Sequence, residues 1–187
     1  FAQLGGIWLP LPHILLMPFV KFDFLWRTGL AGAIVSGTAF IFSSLYIYKL
    51  TKLLSARTDA AFLAAAVFML NPNVLYFQST PMTELVLIAF FSLSTFYFVQ
   101  YLMDQTKLNY LILGGFFGFC ASLSRYDGWF LVSIEALILV AINLNFKYKE
   151  SFKKLEGVLI LFSTLSFFGI VLWLVWGNLI LGDPLYF

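Results

Sequence analysis

NPNVLYFQSTPMTE, residues 71–84, is a polar interruption between two long apolar runs of the sequence. Each of its two prolines lacks a backbone N–H and biases the residue before it, Asn71 or Thr80, away from the helical conformation. In a membrane, irregular backbone survives only where protein or a water-filled cavity satisfies its polar groups. An uninterrupted apolar run begins at Glu84, which places this carboxylate at the positive end of a helix dipole. The stretch therefore predicts a polar site at the head of a membrane helix.

Composition assigns the chain to the membrane proteins. Hydrophobic residues make up 61% of the 187 residues and charged residues 11%, and the mean hydropathy is +0.94. A soluble domain has about 45–50% apolar and about 25% charged residues. The net charge of +2 is too small to indicate a nucleic-acid partner. A single cysteine, Cys120, excludes an intrachain disulfide.

Apolar segments recur along the chain and predict an all-α, polytopic transmembrane helix bundle. We expect about six spanning helices, within residues 28–50, 60–70 or 60–76, 84–103, 110–123, 130–146 and 157–181. Asp59 is the predicted N-cap of the second. Residues 5–20 contain three prolines, so a juxtamembrane or re-entrant segment is predicted there. Residues 1–187 form one transmembrane domain in this interpretation.

Basic residues set the predicted topology. The loop 49–59 carries three basic residues and the loop 147–156 carries four, so the positive-inside rule places both in the cytoplasm. The turn 104–109 lies on the same side. The opposite, outer face then receives five charged residues: Arg27, Glu84, Arg125, Asp127 and Asp183.

Each of these five residues also has a plain structural interpretation. Arg27 could extend to the lipid headgroups, and Asp183 could be an ordinary turn residue. Arg125 and Asp127 flank one tyrosine and could form a local ion pair that caps two helix ends. Glu84 could be only a helix-end carboxylate, although the irregular backbone before it favours a site.

Two more polar residues stand in apolar surroundings. Glu135 lies about 10 Å into its predicted helix at 1.5 Å per residue, where an acid costs on the order of 2.5–3.5 kcal/mol. We therefore expect Glu135 to face the bundle interior and to have a partner there. His13 lies in the proline-rich segment and is either a surface residue or a supporting group of the site. One histidine and one cysteine cannot make a zinc site, so no metal site is predicted.

The order of several short motifs resembles that of the GT-C glycosyltransferases, which are membrane-embedded enzymes. WLPLPH, residues 8–13, resembles the W-x-P-L segment after their first external loop. Arg27 resembles the arginine that these enzymes hold at the outer membrane face. Asn71-Pro72 and residues 80–84 resemble their second external loop, which ends in an acidic residue at a helix start.

Two later motifs extend the resemblance over essentially the whole chain. Residues 114–128 look like the family's helix pair G-x-x-x-G followed by R-x-[DE]-G, and GDPLYF, residues 182–187, is similar to a segment that follows a later span in many prokaryotic members. The oligosaccharyltransferase catalytic subunit and the dolichyl-phosphate-mannose mannosyltransferases belong to this wider group.

The resemblance implies transfer of a sugar from a polyprenyl-phosphate donor to a lipid, glycan or protein acceptor at the extracytoplasmic membrane face. Glycosyl transfer needs a carboxylate as base and positive charge at the leaving phosphate, and arginine matches phosphate bidentately. The implied roles are catalytic for Glu84, donor phosphate binding for Arg27 and Arg125, and supporting for His13, Asp127 and Asp183.

The remaining expectations concern completeness, location and alternatives. In the family the principal catalytic acid precedes the W-x-P-L segment, but residues 1–7 contain no acid. We therefore expect a fragment without the first external loop and without the C-terminal part.

No cofactor is certain, and a divalent metal stays open. We expect a multi-pass protein and favour the plasma membrane of a prokaryote over the endoplasmic reticulum as its location. The alternatives are a transporter or a noncatalytic membrane subunit with a polar outer cavity.

Overall fold

Helices make up almost all of the computed structural model, which describes residues 8–144 and 149–185. No strand occurs within these ranges, so the all-α prediction is confirmed. The helices of the described residues are α1 (Leu11–Val20), α2 (Asp23–Arg27), α3 (Leu30–Ser55), α4 (Thr58–Met69), α5 (Pro72–Phe77), α6 (Glu84–Met103), α7 (Leu108–Ser122), α8 (Asp127–Leu144) and α9 (Lys149–Leu181).

Three of these helices are long and apolar enough to cross a membrane: α3, α6 and the part Glu156–Leu181 of α9. The chain is therefore a helical membrane protein. The helix lengths do not support the six spans that we expect from the sequence, because some of the helices are too short. Helix α4 has 12 residues and α7 has 15, which correspond to about 18 and about 22 Å, against a hydrocarbon core of about 30 Å.

The N-terminal region is short and irregular, as its prolines predict. Helix α1 has only 10 residues, with Pro18 inside it, and it does not reach the length of a span. The backbone N–H of Leu11 donates to the carbonyl of Leu123, 3.1 Å away, so α1 is anchored on the connection between α7 and α8. Residues 5–7 of the predicted re-entrant segment lie outside the described residues.

Helices α3 and α6 run side by side in the same direction. Near their starts, the Ser36 hydroxyl donates to the carbonyl of Thr80, 2.6 Å away, and a Cβ on Gly32 would lie only 2.6 Å from the Pro81 Cβ. Near their other ends, the hydroxyls of Tyr46 and Tyr97 are 3.1 Å apart. The turn before α6 is thus packed directly against α3.

Helices α7, α8 and α9 complete the bundle. Gly114 of α7 packs on Phe98 of α6, and Gly118 packs between Val132 of α8 and Ser166 of α9. One buried apolar cluster joins these four helices: Phe98, Tyr101, Leu111, Leu139, Val158 and Phe162. A second joins α3, α5 and α6: Ala39, Val74, Leu85, Val86 and Ala89.

The helix directions give the bundle two chemically different ends. At the arginine end, which we define by Glu84, Arg125 and Asp127, α6 and α8 begin and α7 ends. At the lysine end, which we define by Lys49, Lys52 and Lys107, α3 and α6 end and α7 begins. Of the basic loop 147–156, residues 147 and 148 lie outside the described part.

The starts of α5 and α4 are capped differently. Asn71 adopts an extended conformation and its side chain accepts a hydrogen bond from Asn73 N, 2.9 Å away, so it caps α5. The prediction for Asp59 is wrong by two residues. Arg57 is the N-cap of α4, and Asp59 lies inside the first turn, where its carboxylate pairs with the Arg57 guanidinium.

Candidate functional site

Arg125 links the starts of two helices at the arginine end. Its Nη1 donates to Glu84 Oε1, 2.9 Å away, and to Thr83 Oγ1, 3.1 Å away. Its Nε donates to Asp127 Oδ2, 3.1 Å away. One guanidinium therefore contacts the first carboxylate of α6 and the first carboxylate of α8.

A short, tightly packed connection between α7 and α8 fixes the position of Arg125. The backbone N–H of Arg125 donates to the Ala121 carbonyl and that of Gly128 donates to the Arg125 carbonyl, at 3.3 and 2.9 Å. The Trp129 indole N–H donates to the carbonyl of Ser122, 3.0 Å away. A Cβ on Gly128 would lie 2.2 Å from the Ala121 oxygen, so only glycine fits this crossing.

The connection between α7 and α8 is partly shielded from solvent. The next residue, Tyr126, is half-buried, and this burial raises the pKa of its phenol above the ordinary value. The Tyr126 hydroxyl is hydrogen-bonded to Trp173 of α9, which is buried. The loop is thus held on three helices, α7, α8 and α9, rather than extending freely into solvent.

The two ion pairs of Arg125 differ in exposure. The side chains of Arg125 and Glu84 are 29% and 31% exposed, whereas Asp127 is 64% exposed. Solvent screens the Asp127 pair, which belongs to the class of exposed pairs worth about 0–1 kcal/mol. The Glu84 pair is better shielded. With one cation and two carboxylates, the cluster carries a formal excess of one negative charge.

Glu84 has unused hydrogen-bonding capacity. Its Oε1 accepts from Arg125, but its Oε2 is buried and has no hydrogen-bond partner among the described residues. A buried carboxylate oxygen without a donor is costly. This atom is therefore a place where the hydroxyl of a bound molecule would be stabilised.

His13 is the second polar side chain with a buried, unused atom. No residue in the described ranges hydrogen-bonds to its buried Nε2. An apolar groove of about 400 Å³ lies beside α1 and the connection between α7 and α8. The groove is lined by Pro10, Ile14, Met17, Leu123, Leu172, Trp173 and Trp176.

Arg27 and Asp183 have local partners instead of contacts with Arg125. The Arg27 Nε donates to Asp23 Oδ1, 2.8 Å away, and both side chains are more than two thirds exposed, at 75% and 72%. The Asp183 carboxylate accepts from the backbone N–H of Leu185, 2.9 Å away, as a turn residue does. The structure thus brings together Glu84, Arg125 and Asp127 and shows no contact from Arg27 or Asp183 to them.

Glu135 occupies the interior position that its depth predicts. It is 3% exposed, and the Ser94 hydroxyl lies 3.0 Å from its Oε2. The same hydroxyl is 2.9 Å from the Gly114 carbonyl, so the contact connects α6, α7 and α8. The expectation of an interior partner is confirmed.

Thr83 is the contact that sequence reasoning missed. Its hydroxyl accepts from Arg125, yet a threonine before a helix start is ordinarily an N-cap, and here its side chain makes no cap hydrogen bond. Only its position between Pro81 and Glu84 in the polar stretch could have drawn attention to it.

Within residues 8–144 and 149–185, no group of three or more His, Cys, Asp or Glu side chains could hold a metal ion. Comparison with protein-family models, with curated proteins and with solved structures finds no match.

Proposed function

We propose that the chain is the membrane part of a glycosyltransferase, which moves a sugar from a polyprenyl-phosphate donor to a lipid, glycan or protein acceptor at the extracytoplasmic membrane face. One observation carries the proposal: at the arginine end, Arg125 and Glu84 are in contact, while Glu84 Oε2 is buried and has no donor among the described residues. A cation and an available carboxylate oxygen are the two groups that glycosyl transfer requires.

In the proposed reaction, Glu84 is the general base. The acceptor hydroxyl gives its proton to Glu84 Oε2 as its oxygen bonds to the anomeric carbon of the sugar. The bond between that carbon and the donor phosphate oxygen breaks, and polyprenyl phosphate leaves with the bonding electrons. Arg125 fixes Oε1, which leaves Oε2 to receive the proton.

Arg125 also binds the departing phosphate in this proposal. The exposed pair with Asp127 is weak, so a phosphate oxygen replaces Asp127 at Nε at little cost while Nη1 keeps its contact with Glu84. Before the donor binds, Asp127 orients the Arg125 guanidinium. His13 supports the site from α1, and Arg27 and Asp183 contribute charge to the same end of the bundle.

The membrane arrangement belongs to the proposal as well. The helices α3, α4, α6, α7, α8 and α9 would make six crossings, with a locally thinned bilayer around the short α4 and α7. Lysines at the other end of the bundle support a topology in which the arginine end lies outside the cytoplasm, and we propose the plasma membrane of a prokaryote as its location.

A noncatalytic membrane subunit is the second candidate, and a specific observation favours it. Arg125 is already paired with two carboxylates, an arrangement that also serves to hold the starts of α6 and α8 together. A transporter has less support. Among the described residues Glu135 is the one buried ionisable side chain, and its partner is the Ser94 hydroxyl rather than a charged group.

Replacement of Glu84 tests the proposal. In the full-length protein, supplied with a panel of polyprenyl-phosphate hexoses, Glu84→Gln should lower turnover at least ~10²-fold, because the amide cannot take the proton. Asp104→Asn is the matched control, since it neutralises a partly exposed, ion-paired carboxylate at the lysine end. Normal turnover in Glu84→Gln would return Glu84 to the role of a helix-end carboxylate. Absence of transfer by the unmodified protein with every donor would favour the noncatalytic subunit.

A further inference from the structure

Three tyrosines form a row at the lysine end, far from the proposed catalytic cluster. The hydroxyls of Tyr46 and Tyr97 are 3.1 Å apart, and the rings of Tyr97 and Tyr110 lie 6.3 Å apart between centroids. The row connects α3, α6 and α7. In membrane proteins, tyrosines are enriched at the depth of the lipid headgroups.

Lysines stand at both ends of the tyrosine row. Lys49 Nζ lies 4.7 Å from the centre of the Tyr46 ring, and Lys107 Nζ lies 5.8 Å from that of Tyr110. Lys107 is ion-paired with Asp104, 3.2 Å away. None of the ion pairs of the described residues includes Lys49. Lys49 therefore presents a positive charge that no carboxylate in the described part of the chain neutralises.

The tyrosine pair offers a hydrogen bond as well as a neighbouring charge. In a hydrogen bond between two hydroxyls, one O–H donates and the other accepts, so the accepting hydroxyl still has its own proton to donate. The described residues supply no acceptor for it. A phosphate or ester oxygen of a lipid headgroup next to Tyr97 would accept this hydrogen bond. The negative charge of the phosphate would then face Lys49.

An apolar groove leads to this polar end. It has a volume of about 510 Å³ and lies between α3 and α6, with Leu15 and Phe19 of α1 over one part of it. Along α3 it runs from Ile34 to Tyr46, a distance of about 18 Å at 1.5 Å per residue. Several of the side chains that line the groove, such as Phe42, are exposed, so a hydrocarbon chain of the bilayer can enter it laterally.

We infer that this groove and the Lys49–Tyr46–Tyr97 end together bind an anionic glycerophospholipid of the surrounding bilayer. One acyl chain lies in the groove, and the phosphate accepts from the tyrosine pair and faces Lys49. Basic sites between membrane helices bind anionic headgroups in this way. The charge complementarity selects an anionic lipid over a zwitterionic one. The inference does not depend on glycosyl transfer, whose proposed site is at the arginine end.

Lipid binding by the purified full-length protein tests the inference. Phosphatidylglycerol and phosphatidylcholine with identical acyl chains are titrated in detergent, and bound lipid is counted by native mass spectrometry. We expect phosphatidylglycerol to bind about tenfold more tightly, and Lys49→Gln to remove most of that preference, because Lys49 is the cation that the phosphate faces. Lys52→Gln is the matched control: it removes the same charge from the same helix, but Lys52 lies over Tyr48, outside the row.

Two further variants probe the hydroxyl pair and the groove. Tyr97→Phe should weaken phosphatidylglycerol binding severalfold, because the phosphate loses its hydroxyl donor. Thr38→Phe places a ring in the groove at an exposed position, and it should weaken both lipids. Equal losses in Lys49→Gln and Lys52→Gln would overturn the inference in favour of diffuse attraction, and unchanged binding in Thr38→Phe would exclude the groove. Displacement of phosphatidylglycerol by an equimolar polyprenyl phosphate would overturn the assignment to a bilayer phospholipid.

Discussion

Arg125 donates to carboxylates at the starts of two helices, and this double pairing changes the role that its sequence context suggests. The spacing Arg-Tyr-Asp predicts a guanidinium that Asp127 orients and that is otherwise available for a phosphate. In the structure its Nη1 is occupied by Glu84 and Thr83, 2.9 and 3.1 Å away. The residue therefore positions the proposed base before it meets any donor, and the weaker contact with Asp127 is the one that a phosphate replaces.

Glu135 shows where a single buried acid contributes to stability. The Ser94 hydroxyl has one proton, so it cannot donate to both the Gly114 carbonyl and the Glu135 carboxyl group. If Glu135 is neutral, its own O–H donates to Ser94 Oγ, and the Ser94 hydroxyl donates to the Gly114 carbonyl. All three groups are then hydrogen-bonded. Glu135→Gln supplies such a donor and should change the free energy of unfolding by less than about 1 kcal/mol, whereas Glu135→Ala leaves buried partners unmatched and should cost about 1–3 kcal/mol. Thermal unfolding in detergent measures both. An equal loss in the two variants would contradict this network.

The α7–α8 connection is the element that carries the candidate site, and Gly128 is its tightest point. In Gly128→Ala the new Cβ would meet the Ala121 backbone oxygen at 2.2 Å. The two helices must separate, at a cost of about 1–3 kcal/mol for overpacking, and Arg125 moves away from Glu84. Gly157→Ala is the matched control, since no atom of the described residues lies within 4 Å of its added Cβ and alanine favours a helix interior by about 0.5–1 kcal/mol. Comparable unfolding temperatures in the two variants would show that the crossing is not tight.

Helix boundaries were predictable where charge or proline marks them and unpredictable where only hydropathy was available. Glu84 and the prolines before it located the start of α6 correctly. Helix α3 continues beyond residue 50, to Ser55, because no proline stops it and its lysines extend past the apolar part. Asp59 has the residue type of an N-cap, yet the helix begins one residue before it and Asp59 lies in the first turn, paired with Arg57.

The candidate site was predictable in its residue types but not in its pairing. Apolar runs cannot reveal that Arg125 reaches across to α6, because that contact depends on how α7 packs against α6. The interior position of Glu135 was predictable, since the energetic cost of an acid in hydrocarbon leaves few other places for it. The identity of its partner, Ser94, required the structure.

At the scale of the whole molecule, the proposed topology separates the lysine end from the arginine end across the membrane. Single cysteines at Ser55 and Ser79, which are both exposed and lie at opposite ends, should be labelled by an impermeant reagent from opposite sides. Ser55 should react only from the cytoplasmic side, because the basic residues around it stay inside. Cys120 is buried and should add no background. Labelling of both positions from one side would remove the basis for placing the site outside.

The most direct test of the proposed function is the binding of a polyprenyl-phosphate hexose to the purified full-length protein in lipid nanodiscs. Charge-assisted hydrogen bonds are worth about 1.5–3 kcal/mol, so Arg125→Ala should weaken donor binding roughly ten- to a hundredfold. Arg125→Lys should restore only part of it, because lysine keeps the charge and loses the planar fork. Arg57→Ala is the control, since Arg57 also pairs with an aspartate two residues later but lies at the lysine end, and it should leave binding unchanged. Unchanged donor binding in Arg125→Ala, or an equal loss in Arg57→Ala, would contradict the assignment of the donor phosphate to the arginine end.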